Sequence, residues 1–207
     1  MAELLSGIES EVARRMVHAS GSLVPLGYLL VPDTMTWQRV QWLLVLALVC
    51  ALALEFVRLV VGLDWAIYDH LTRSYEQDNV AGYALAIISV AIVVWAATPE
   101  VAVPAILMLT LGDPISGLLG SDDSKKLGKE DTFEVIAKPP RVLGVMFVVC
   151  TAIAFALLRS PVPAVLGGLA AMAADGYKPI VATFVIDDNL TIPLAGAAAM
   201  TLGLLLV

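Results

Sequence analysis

Charge is scarce in this chain: Asp, Glu, Lys and Arg make up 15% of its 207 residues, against 59% hydrophobic. So little charge in so apolar a sequence excludes an ordinary soluble domain of this length. What charge there is leans acidic, 19 residues against 12 basic for a net −7, and that balance disfavours nucleic acid as a partner. Cysteine is almost absent. Cys50 and Cys150 both lie inside apolar runs, where thiols behave as small hydrophobes, so neither a disulfide nor a metal site is read from them. The chain has no Gly-x-x-x-x-Gly-Lys-Ser/Thr pattern, which excludes a P-loop, and no His-Glu-x-x-His, Cys-x-x-Cys or Gly-x-Ser-x-Gly. A cleavable signal is not expected, because Arg14–Arg15 is followed by a mixed segment without a clean apolar core.

The apolar residues come in blocks, and blocks of about 17–25 residues are the length a membrane span requires. They predict an all-α, polytopic integral membrane protein of about seven transmembrane helices, with a single transmembrane domain over residues 1–207. The predicted spans run from about Glu9 to Val31, Val40 to Gly62, Val80 to Ala97, Glu100 to Gly120, Val142 to Leu158, Pro161 to Asp175, and Asp188 or Asn189 to Val207. The fourth is expected to be broken at Gly112-Asp113-Pro114. Glycine and proline both oppose a continuous helix, and Asp113 could cap a second piece that begins at Pro114. Broken backbone at membrane depth is tolerated only where protein or a watery cavity surrounds it, and an ionisable group there is a functional candidate. Residues 121–141 hold five basic and five acidic side chains and end in Pro139–Pro140 and Arg141, the composition of a charged cytoplasmic loop.

The cations set the topology. With the N-terminus in the cytoplasm, Arg14, Arg15, Arg58, Arg73, Lys125, Lys126, Lys129, Lys138, Arg141 and Lys178 fall inside, and only Arg39 and Arg159 fall outside. The expectation is a multi-pass cell-membrane protein with a cytoplasmic N-terminus and an external C-terminus. The same topology brings Asp113, Glu55 with Arg58, Asp175 and the Asp187–Asp188–Asn189 cluster toward the cytoplasmic side. Glu11, Arg14, Arg15 and His18 join them, on one stripe of a helix because offsets of three, four and seven share a face. Two adjacent acids are costly to hold together unless a cation or proton is shared, and Asp187–Asp188–Asn189 opens a helix whose start favours phosphate. Magnesium takes one or two carboxylates plus phosphate oxygens, and arginine or lysine neutralises the phosphates. Phosphoryl transfer from a nucleotide to a membrane-embedded alcohol needs that set.

Together these residues resemble the CTP-dependent polyprenol kinase family, which comprises dolichol kinase, phytol kinase and the CTP-dependent diacylglycerol kinase. The family's Glu-x-x-Arg-Lys-x-x-His start is matched by Glu11, Arg14, Arg15 and His18, with arginine in place of the usual lysine. Its Gly-Asp followed by small residues and a later glycine is matched by Gly112, Asp113, Gly117 and Gly120. Its Asp-Asn-Leu-Thr-x-Pro-Leu motif is matched by Asp188 through Leu194. The chain departs from the family in lacking a Gly-Lys-Lys-Thr-x-Glu-Gly-Ser-like stretch, offering Lys125–Lys126–Leu127–Gly128–Lys129 and Lys138-Pro-Pro-Arg141 instead, so the nucleotide-binding lysine stays open. It departs again at Asp175, where the family has a glutamate.

The resemblance implies transfer of the γ-phosphoryl of CTP to a long isoprenoid alcohol, with Mg²⁺ as cofactor and the bilayer, the alcohol and CTP as partners. It implies catalytic roles for Asp113, Asp188, Arg15 and His18, and metal binding by Asp113, Asp187 and Asp188. Phosphate contacts are implied for Arg14, Arg15, Gly112, Gly117, Gly120, Lys125, Lys126, Lys129 and Asn189, with Glu11, Glu55, Arg58 and Asp175 in support. Which carboxylate serves as base is left open, as is the oligomeric state. A CTP-dependent cytidylyltransferase would attack a different phosphorus of the same nucleotide and use the same inner-face cluster, although its Lys-Arg…Lys-Asp…His-Gly-Gly signature is absent. A transporter could also use a broken helix and intramembrane acids, but here the charges collect at one face.

Overall fold

Long apolar runs become helices because a helix satisfies its own backbone donors and acceptors, the condition lipid imposes. The computed structural model describes residues 15–63, 65, 68, 72, 76, 79–119, 125–129, 133–181 and 184–207, with 119, 125–129, 133–137, 181 and 184–185 as backbone. Residues 15–20 are helical, a turn follows at Gly21–Ser22, and α1 (Leu23–Leu30) continues. Then come α2 (Trp37–Phe56), α3 (Gly82–Ala96), α4 (Pro99–Leu107), α5 (Asp113–Leu119), β1 (Lys125–Lys129), β2 (Phe133–Ala137), α6 (Pro140–Leu158), α7 (Pro161–Gly176), β3 (Tyr177–Val181), β4 (Phe184–Val185) and α8 (Asp188–Leu205). Prolines set three of the starts: Pro99, Pro140 and Pro161 each occupy a first helical position, where the missing N–H costs nothing. Arg159, at φ 55, ends α6.

Among the described residues, four helices are long and apolar enough to cross a membrane: Trp37–Val61, Pro99–Leu118, Pro140–Leu158 and Asp188–Leu205; Gly82–Ala96 is apolar but shorter. Of these, Pro99–Leu118 is 72% buried inside the protein, against 17% for Trp37–Val61 and 22% for Pro140–Leu158, so the run that ends at the Gly-Asp-Pro sequence is the central helix. It packs on α6 and α8, while α7 lies between α6 and α8, and α3 joins α8 to α2. The outer face of the Trp37–Val61 helix carries exposed Trp42, Leu46, Val49, Phe56 and Val60, a stripe suited to lipid rather than water.

Three expectations are corrected. The fold is not all-α, because four short strands form an antiparallel sheet in the order β1-β2-β3-β4. The presumed loop of residues 121–141 supplies β1 and β2, and the connector before α8 supplies β3 and β4; β-branched and aromatic residues in Phe133–Ala137 and Tyr177–Val181 favour this pairing. Nor does the fourth span break. Met108–Gly112 is a π-turn, and the wider turn lets the Asp113 N–H donate to Met108 O, leaving Asp113 in right-handed helical conformation at φ −63, ψ −49. Pro114, without an N–H, is thereby carried inside a continuous helix, and Asp113 is no cap. Gly112 serves close packing here: a Cβ would lie 2.7 Å from Cys150 Sγ.

Small residues also bring α7 and α8 together. A Cβ added at Gly203 would stand 2.5 Å from Pro163 Cα, a backbone atom that cannot swing aside, whereas one added at Gly144 meets nothing within 4 Å. Gly203→Ala is therefore expected to destabilise the protein by about 1–3 kcal/mol through overpacking. Gly144→Ala is expected to be neutral or to stabilise by up to about 1 kcal/mol from helix propensity. Unfolding in detergent compares the two, and equal effects would contradict the close α7–α8 approach.

Candidate functional site

Strand pairing creates the site. Ala137 at the end of β2 is opposite Tyr177 at the start of β3, and just beyond this pair the Lys138 N–H donates to Gly176 O at 3.1 Å. That fixes the Lys138 side chain beside Asp175, the last acid of α7. Its ammonium lies 3.3 Å from Asp113 Oδ1 and 3.3 Å from Asp188 Oδ2, and donates to Asp175 Oδ1 as well. Three carboxylates from three helices thus meet on one lysine. Lys178, on β3, adds a second cation, 2.7 Å from Asp188 Oδ2 and 3.6 Å from Asp187 Oδ2. His18 approaches from the first segment, with Nδ1 3.3 Å from Asp113 Oδ2.

Burial works against the charge of Lys138, but the Asp188, Asp113 and Asp175 carboxylates outweigh it and hold the ammonium well above the usual lysine range. A raised folded-state value means that this stabilisation is fully present below the unfolded lysine value of about 10.4 and is lost only as pH rises beyond it. Lys138 therefore stays charged throughout the neutral range.

Asp113, Asp175 and Asp188 each offer an oxygen within 4.8 Å of the others, a grouping that could hold a metal ion. A hard divalent cation such as magnesium fits the all-oxygen donor set. Asp175 supplies a second, independent sign. It is completely buried, yet its Oδ2 has no hydrogen-bond partner among the described residues, a costly state that a cation would relieve.

Several expected site residues fall elsewhere. Asp187, expected as a metal ligand, is the N-cap of α8: its Oδ1 accepts from the Asn189 N–H at 3.0 Å and from Asn189 Nδ2 at 2.5 Å. Asn189 consequently turns back on Asp187, and its carbonyl accepts from Ser89 Oγ at 2.8 Å, tying α8 to α3. Arg15 lies over Gly117, where a Cβ would be 3.1 Å from Arg15 Nη1, so this glycine makes room for the guanidinium. Gly112 faces Cys150 rather than the cluster. Lys125, Lys126 and Lys129 lie on β1, described as backbone only. Glu11, Arg14 and Gly120 lie outside the described residues. Sequence reasoning kept Asp175 in a supporting role, left Lys138 among several candidate nucleotide-binding lysines and used Lys178 only for topology; the signal available was the pair of β-branched runs whose pairing juxtaposes them.

Glu55 and Arg58 form a separate structural staple. Arg58 donates to Glu55 at 3.0 Å and 2.6 Å, and to the carbonyls of Glu76 at 2.9 Å and Asn79 at 2.5 Å. Glu55 also accepts from Tyr83 Oη at 2.6 Å and from the Ala81 N–H at 3.0 Å. The pair locks the end of α2 to the entry of α3.

No family model matches the chain, and no curated protein and no solved structure matches it either.

Removing Glu55 would strand Arg58 among buried carbonyls. Glu55→Ala is expected to lower stability by about 3–5 kcal/mol, the usual effect of breaking a buried ion pair from one side. Denaturant unfolding in detergent measures it, and a loss below about 1 kcal/mol would place the pair among screened surface bridges.

Proposed function

We propose that this chain is a multi-pass membrane lipid kinase that transfers the γ-phosphoryl group of CTP to the hydroxyl of a polyprenol- or dolichol-type isoprenoid alcohol at the cytoplasmic membrane face. The observation that carries this reading is the meeting of Asp113, Asp175 and Asp188 with Lys138, while Lys178 and His18 approach from either side. The resemblance of Glu11–His18, Gly112–Gly120 and Asp188–Leu194 to the motifs of the CTP-dependent polyprenol kinases supports the choice of CTP and of the lipid alcohol. On this reading the shorter helices Gly82–Ala96 and Pro161–Gly176 and the first segment cross the membrane with the four longer ones. That makes seven spans, with the N-terminus inside and the C-terminus outside.

Asp113, Asp175 and Asp188 would hold Mg²⁺, which when bound supplies charge neutralisation at the phosphates. Lys138, Lys178 and Arg15 add positive charge near the phosphates, where the leaving CDP gains its negative charge. His18 gives its Nδ1 proton to the hydrogen bond with Asp113, and its buried Nε2 has no hydrogen-bond partner among the described residues. That tautomer makes Nε2 the acceptor for the hydroxyl proton. As the alcohol oxygen bonds to the γ-phosphorus, the bond from that phosphorus to the β,γ-bridging oxygen breaks, CDP departs with its electron pair, and His18 takes the proton. Catalysis rests chiefly on positioning and charge.

Purified protein with labelled CTP and a panel of isoprenoid alcohols and diradylglycerols tests this. The expected products are a lipid monophosphate and CDP; a CDP-lipid with pyrophosphate would make the protein a cytidylyltransferase, and label entering lipid from ATP alone would defeat the CTP assignment. Asp113→Asn and Asp188→Asn are each expected to reduce transfer at least about 100-fold, in keeping with the loss of one charge-stabilising group. Transfer intact in both would exclude this site.

A further inference from the structure

Among metal-free features of the site, the most informative is where Lys138 puts its charge. An ammonium has three donor hydrogens, and this one addresses three carboxylates, one each from Asp113, Asp175 and Asp188. Those are the same three carboxylates whose oxygens converge closely enough to ligate a metal. A lysine and a divalent cation cannot both stand among three acids at hydrogen-bonding distance without strong like-charge repulsion. Resting on the metal assignment made for the proposed kinase, we propose that Lys138 is a built-in counter-ion that occupies the cation position in the metal-free protein and is exchanged for Mg²⁺ when the metal binds.

The surroundings permit the exchange on one side only. Asp175 and Asp188 side chains are closed off, at 0% and 2% exposure, while Lys138 and Asp113 are open at 17% and 18%. The Lys138 backbone is pinned by its hydrogen bond to Gly176 O and by Pro139 and Pro140 that follow, so the flexible four-carbon stem must make the movement. Withdrawn from the carboxylates, the ammonium would emerge at the open side, where an incoming phosphate arrives. The protein thereby keeps three buried acids compensated before metal arrives, and releases a cation toward the phosphates only after the metal has taken over that task.

The test uses the full chain in detergent without nucleotide or lipid substrate. Mn²⁺ binding followed by electron paramagnetic resonance, and Mg²⁺-dependent melting, are compared for the wild type and Lys138→Met. Removing the competing ammonium is expected to tighten metal binding at least tenfold and to lower the metal-free melting temperature, with Mg²⁺ restoring it. Unchanged or weaker metal binding in Lys138→Met would overturn the exchange. A second measurement serves if that variant does not fold: acylation of Lys138 in the wild type, followed by mass spectrometry, is expected to rise severalfold on adding Mg²⁺, and no change would equally overturn it. Asp175→Asn is expected to lose metal binding, and wild-type affinity there would remove the metal assignment and the exchange together. None of these measurements involves CTP, so absence of lipid phosphorylation would defeat the kinase reading while leaving the exchange standing.

Discussion

One lysine ammonium against three carboxylates is the interaction on which the rest of this structure depends. Placing Asp113, Asp175 and Asp188 together in a largely closed site is unfavourable by itself, because each buried charge loses its hydration and repels the others. Lys138 makes the arrangement tolerable, and Lys178 compensates the Asp187–Asp188 pair beside it. The result is a polar centre made by groups from α5, α7, α8 and the junction after β2, none of which would hold such a position alone. Buried ionic clusters add little net stability compared with apolar packing. Their presence here at the end of helices otherwise built from apolar residues points to a functional rather than a stabilising role.

The scaffold supplies the precision the cluster needs. Close approach at Gly203 holds α8 against α7, so Asp175 at the end of one and Asp188 at the start of the other stay in register. The π-turn Met108–Gly112 rotates the central helix just before Asp113, and Gly112 lets it press against Cys150 on α6. The small sheet then closes the arrangement, since β2–β3 pairing carries Lys138 to Asp175 and Lys178 to Asp188. Glu55 and Arg58 act at a distance, fixing the α2–α3 junction on which α8 leans through Ser89 and Asn189.

Much of this was legible in the sequence, because helix position depends on local properties. Apolar run length and prolines at helix starts placed α3, α6, α7 and α8 within a few residues, and Asp113 and Asp188 stood out as acids next to apolar segments. Asp113 was misread locally: Gly-Asp-Pro has the local preferences of a capped break, and only packing around Gly112 makes the continuous π-turn the better solution. The meeting of Lys138 with Asp175 spans 37 residues of sequence and arises from strand pairing, which no helical period encodes. The capping role of Asp187 was not legible for a related reason. Both acids of the Asp187–Asp188 pair face a cation, but only the backbone geometry at the start of α8 decides that the first caps the helix and the second enters the cluster.

The most direct test of the central claim is to locate a divalent cation. Anomalous diffraction from crystals grown with Mn²⁺ should show a peak bonded to oxygens of Asp113, Asp175 and Asp188, with the Lys138 ammonium displaced to the open side. A peak held by Asp187 or by groups remote from these three aspartates, with Lys138 still among them, would contradict it.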